Sequence, residues 1–142
     1  MPQESTTPDL VETVYRSVEA MNRGDVDEVV SYFRTDSAWD LSPMGLGSFA
    51  SLSAIRSFLE DWTGSYEQFE LVLEEVLDLG SGVVFAVVLQ HARLAESAGE
   101  VRMRYASVNS GVDGQFVRIT NYTDVDQARA AAERLAEEQA DG

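Results

Sequence analysis

The chain has 142 residues, a mass of 15.6 kDa and a hydrophobic fraction of 44%, which suits one domain around one core and is too apolar for disorder. Its formal net charge of −15 repels phosphate backbones and anionic lipid, so nucleic acid and membrane surfaces are excluded as natural partners. There is no cysteine, and all ten basic residues are arginine. Disulfides, thiolate nucleophiles, thiolate-held metals, Schiff-base lysines and phosphate-loop lysines are therefore excluded too.

In chain order, Met1 to Pro8 is polar, with neither a basic region nor an apolar stretch, so no signal peptide is expected. No run approaches the roughly 20 apolar residues of a membrane span. The cytoplasm is the expected compartment. Thr7 can cap a helix with Pro8 at its first position. Val11, Val14, Val18 and Met21 then recur at helical spacing, and Gly24 fits as the stop. Asp25 with Glu28 has the form of a capping box, followed by a short helix carrying Val26, Val29, Val30 and Phe33. Ser37 to Leu41 reads as a strand. The stretch from Ser42 to Ala50, with Pro43, Gly45 and Gly47, reads as loop. A third helix after Ser51 places Ile55, Phe58, Leu59 and Trp62 on one face and ends near Gly64.

The period then changes. Phe69 to Leu79 and Val83 to Leu94 read as strands joined by Gly80-Ser81-Gly82, with a second turn at Ala95 to Gly99. Val101, Met103 and Tyr105 alternate with Arg102, Arg104 and Ala106, the two-residue period of a strand with unlike faces. Gly111 to Gly114 turns into a last strand, Gln115 to Tyr122. Asp124 and Gln127 open a final helix with Val125, Ala128, Ala132 and Leu135 as its stripe, and a frayed tail is expected beyond Glu137. Helices first, then hairpin-linked strands, then a helix, give an α+β class with antiparallel pairing and one domain over residues 1–142.

The run Ala20-Met21-Asn22-Arg23-Gly24-Asp25-Val26-Asp27 resembles the start of the nuclear-transport-factor-two-like superfamily, which has a cystatin-like α+β cone. More narrowly it is similar to SnoaL-like domains. Phe33, Trp39, the glycine-bearing loop, Ile55-Arg56-Ser57-Phe58-Leu59 with Trp62, and Arg118-Ile119-Thr120-Asn121-Tyr122-Thr123-Asp124 carry the likeness across residues 9–136. It implies a strongly curved antiparallel sheet wrapped around N-terminal helices, an internal pocket, and a homodimer through the outer sheet face. It also implies that Trp39, Gln90 and Asn121 face the pocket.

One fold hosts many chemistries, so each activity of the superfamily has to be met residue by residue. A ketosteroid isomerase needs a carboxylate base and a tyrosine–acid oxyanion hole. Alignment puts Leu41 at the base position, Ser17 at the tyrosine and Ala106 at the acid, which argues against it. Asp40 lies one residue from the base position, on the other face of a regular strand. The Asp-Arg-Asp set of the epoxide hydrolases has no match around Arg102 and Arg104. The two histidines of scytalone dehydratase are not available in a chain with one. SnoaL-like cyclases imply an aspartate with a nearby histidine, for which His91, Asp40 and Asp124 are the candidates. A structural role competes for each: a satisfied strand histidine, a strand-end aspartate and a helix cap.

Arg104 leaves two readings open. Either it faces the pocket while Val101, Met103 and Tyr105 meet a partner, or the register is displaced by one and those three face inward. Trp62, with Trp39, is a candidate wall for a flat apolar ligand, although core packing also explains both. The expected function is binding of a small apolar or aromatic molecule without metal or cofactor. The alternative is a cofactor-independent cyclase, isomerase or dehydratase acting on a small apolar carbonyl compound by acid–base chemistry.

Overall fold

In the computed structural model, which describes residues 9–64, 66–94 and 100–141, the first helix is capped by Asp9. Its carboxylate accepts the Val11 N–H at 3.0 Å, opening α1 (Leu10–Asn22). The cap expected at Thr7 and Pro8 lies outside the described residues. Gly24 turns the chain at φ 73°, and Asp25 accepts the Glu28 N–H at 3.0 Å to start α2 (Val26–Ser31). Only that half of the capping box forms, because the Glu28 carboxylate is drawn to Arg23 and the Tyr32 hydroxyl.

Strand β1 (Phe33–Asp40) begins four residues earlier than the sequence pattern indicates. A single 3-10 turn (Ser42–Met44) and the two-residue β2 (Ser48–Phe49) interrupt the expected loop. Ser51 Oγ accepts the Ala54 N–H to begin α3 (Leu52–Gly64). Four long strands follow: β3 (Tyr66–Gly80), β4 (Val83–Leu94), β5 (Glu100–Val112) and β6 (Gln115–Tyr122). The turn expected at Ala95 to Gly99 falls outside the described residues. Asp124 accepts the Gln127 N–H at 3.1 Å and starts α4 (Val125–Asp141), which continues helically past Glu137 where fraying was expected.

The six strands form one sheet in the order β2-β1-β6-β5-β4-β3. The antiparallel expectation holds for β1 with β2 and for β3 through β6. It fails for β1 and β6, which run parallel with Trp39 opposite Ile119. The chain between them includes the helix α3 and four strands, so the long connection that parallel pairing requires is available. Register breaks in β3, between β1 and β6, and between β5 and β6 bend the sheet. The break between Leu73 and Glu75 explains the acidic interruption of β3. It swings Glu74 and Glu75 outward, where Glu74 meets Arg104 and Glu75 meets Arg129.

The concave face buries Phe33, Trp39, Leu71, Ala86, Val88, Tyr105, Phe116 and Ile119 against α1, α2 and α3. Asn22 ties α1 to the edge strand: its amide donates to the Leu71 carbonyl at 3.0 Å and accepts the Leu71 N–H at 2.7 Å. That clamp occupies backbone groups an edge strand otherwise leaves open. The convex face buries Val83, Phe85, Val87, Ala106 and Val108 beneath Ala128, Ala132 and Ala136 of α4. Small residues on the helix let it lie close to the sheet. The outer face, which the resemblance assigns to a dimer partner, is thus partly covered by the chain's own last helix.

Candidate functional site

Strand parity sets what faces the hollow. Gln90 pairs with Met103, and Val88 with Tyr105, so these four share the concave face with Asn121, two strands away. Beneath Trp39 the hollow is nearly filled. The open space there is about 50 Å³, bordered by Val14, Met21, Phe33, Leu71 and Phe116. That admits a few waters, not a drug-sized molecule. A second, wider space of about 480 Å³ opens between α3, the turn after β1, and β4 to β6. Leu41, Met44, Phe58, Trp62, Met103 and Tyr105 form most of its apolar wall. Its size falls within the ~300–1,000 Å³ of ligand clefts. Tyr105 and Asn121 border both spaces.

Trp39 is buried and donates its indole N–H to the Asn121 Oδ1 at 3.2 Å. Its ring stands edge-on to Phe58 and Trp62, with centroids 5.7 and 6.5 Å away. Phe58 and Trp62 stack on each other at 5.5 Å. This aromatic cluster makes one wall of the wide cavity stiff and flat. Tyr105 is buried, and that burial alone pushes its hydroxyl far above the ordinary phenol value. It therefore stays protonated, with its O–H available as a hydrogen-bond donor.

Gln90 is the anomaly of the site. It lines the wide cavity, its relative exposure is 0%, and neither Oε1 nor Nε2 has a hydrogen-bond partner. A buried amide left unpaired costs about 1–3 kcal/mol. Among the described residues these are the only buried side-chain polar atoms without a partner. Among the described residues lining this cavity, Asp61, on α3 beside Trp62, is the one charged side chain.

The other expected site residues lie elsewhere. His91 follows Gln90 and so points to the convex side, where its Nδ1 is 3.6 Å from Glu100 in a shallow depression with Glu70 and Arg93. Asp40 follows Trp39 and also points out. Its carboxylate accepts the Ser42 N–H and an Arg118 N–H, both at 2.9 Å. Hydrogen bonds from Ser42, then the Arg118 charge, hold its pKa below the usual value. Asp124 caps α4. Arg104 binds Glu74 through two hydrogen bonds of 2.6 and 3.1 Å on the outer face. Of the two readings of β5, the one with Val101, Met103 and Tyr105 turned inward is the one the structure adopts, and Arg104 is corrected to an exposed ion-pair residue.

His91, Asp40 and Asp124 are therefore not brought together, and none of them borders either space. Trp39, Trp62, Gln90 and Asn121 are brought together around the hollow. Tyr105 and Asp61 are functional candidates that residue-by-residue comparison passed over. The alternation of Val101, Met103 and Tyr105 held the signal for the first. Nothing local marks the second. No group of three His, Cys, Asp or Glu side chains suited to a metal is found among the described residues.

Comparison with known structures places this architecture. A putative polyketide cyclase from Xanthomonas campestris pv. campestris shares 23% identity at a TM-score of 0.66, covering 85% of this chain and 94% of that one. An LEH-like epoxide hydrolase from M. tuberculosis shares 16% at 0.68, covering 88% and 90%. An NTF2-like protein of unknown function from Burkholderia pseudomallei K96243 shares 18% at 0.70, covering 87% and 96%. At these identities the likeness establishes the fold alone. No curated protein matches the chain in sequence. The description of the SnoaL-like domain matches residues 14–119, three quarters of the sequence, and the chain belongs to that family.

Proposed function

We propose that this domain binds a small apolar or aromatic molecule in the wide cavity between α3 and the sheet. The observation that carries the reading is the Gln90 amide, buried without a partner in the wall of that space. A fold has no stability reason to keep such a group, since a leucine there would remove the penalty. A ligand that supplies the missing partners gives it one.

Thermal shift against neutral aromatic compounds tests the reading, because ligands that bind the native state raise its melting temperature. Stabilisation that is lost in Trp62→Ala but kept in Arg104→Ala is the expected result. Equal response of both variants, or none in the wild type, contradicts it.

A second reading, a cofactor-independent cyclase, isomerase or dehydratase acting on a small carbonyl compound, is supported by Asp61 and Tyr105 lining the same cavity. A carboxylate and a protonated phenol there provide a base and a donor for developing negative charge. We place the protein in the cytoplasm, where a cysteine-free chain forgoes nothing. The homodimer implied by the family remains a proposal, narrowed by α4 to the part of the outer face that this helix leaves uncovered.

A further inference from the structure

The chemistry of Gln90 restricts what the wide cavity accepts, an inference that rests on the binding role proposed above. A carboxamide presents one acceptor and two donors in a plane. Both kinds of atom in Gln90 lack partners, so a complement must offer a donor and an acceptor side by side. A ketone or ether leaves Oε1 unmade. A carboxylate brings acceptors only. The edge of a lactam, an imide or a primary amide satisfies both atoms at once.

Charge points the same way. Among the described residues, no arginine or histidine lines this cavity, and Asp61 stands at its exposed rim. The chain as a whole carries −15. An anion entering here loses its hydration and gains no counter-charge. Shape adds a third restriction, since the stacked Phe58 and Trp62 give one flat wall and Val101 and Met103 on β5 also line the space. Gln90 is fully buried whereas Val101 is 36% exposed, so a ligand enters polar edge first. Met103, paired with Gln90 across the β4–β5 ladder and only half-buried, is unbranched and readily moved aside.

We propose that the cavity takes an uncharged, flat molecule bearing a cis-amide edge, and that Gln90 reads that edge. Four probes and two variants test this by calorimetry and thermal shift. The probes are 2-quinolinone, N-methyl-2-quinolinone, naphthalene and 2-naphthoate. The variants are Gln90→Leu and Gln90→Met, both checked for cooperative melting.

The wild type is expected to bind 2-quinolinone about 10-fold more tightly than its N-methyl analogue, whose blocked nitrogen leaves Oε1 unpaired. Binding of 2-naphthoate should be weaker still. In both variants the ratio of the two quinolinones should fall to about one while naphthalene binding is retained. A wild-type ratio near one, or a ratio that survives in the variants, overturns the assignment of the edge while leaving the binding role intact. Failure of all four probes to bind overturns both.

Discussion

At the scale of single residues, adjacent positions on one strand have opposite fates. Trp39 and Gln90 face the hollow; Asp40 and His91, one step on, face out. Asp40 is a structural carboxylate, and its pH behaviour should show it. Its pKa is lowered in the fold, first by Ser42 and then by Arg118. The unfolded chain therefore takes up a proton more readily. The stability it contributes is complete well above its ordinary value of 3.8 and is lost as pH falls through the lowered folded value. Urea unfolding of the wild type and Asp40→Asn should differ by about 1 kcal/mol at neutral pH, and the gap should close below pH ~4. A gap that does not change with pH contradicts the assignment. The two-residue period of β5 showed which residues share a face, but not which face is inner. That choice depends on where α4 lies, and no single strand records it.

At the scale of elements, most of the molecule was legible. Helical spacing located α1, α2, α3 and α4, because each buries one stripe. Glycine-bearing turns located the hairpins. The β5–β6 turn rests on Asp113 and Gly114, both at positive φ, the Asp-Gly signature of a tight hairpin. What could not be read was pairing across long sequence distance. The parallel contact of β1 with β6 leaves no local mark. The place of α4 was equally hidden, since an alanine stripe fits any flat apolar surface. Its role yields a prediction. A chain ending at Thr123 uncovers Val83, Phe85, Val87, Ala106 and Val108 together. An apolar patch of that kind drives association. Size-exclusion chromatography should show this truncated chain eluting as dimers or larger species relative to the full-length protein at equal concentration. An unchanged elution volume contradicts the covering role of the helix.

At the scale of the whole molecule, the hollow is divided unequally. The space under Trp39 is only about 50 Å³, whereas the one beside α3 is about 480 Å³ and walled by aromatic and aliphatic side chains. The family pattern pointed to a pocket under Trp39. Side-chain volume decided otherwise, because Phe33, Phe116, Met21 and Ile119 occupy that depth. Composition and order of elements could fix the cone, yet the location of free space depends on how those volumes interlock. Gln90 illustrates the limit from the other side. Its inward parity was readable, but its lack of partners appears only once every neighbour is placed.

The central claim is that this unpaired amide meets a ligand in the wide cavity. The most direct measurement follows the side-chain NH₂ resonances of Gln90 by nuclear magnetic resonance while 2-quinolinone is added. The account predicts that they shift in step with the indole N–H of Trp62, with His91 unaffected. Shifts confined to the His91 depression or to α4, with Gln90 unmoved, would contradict it.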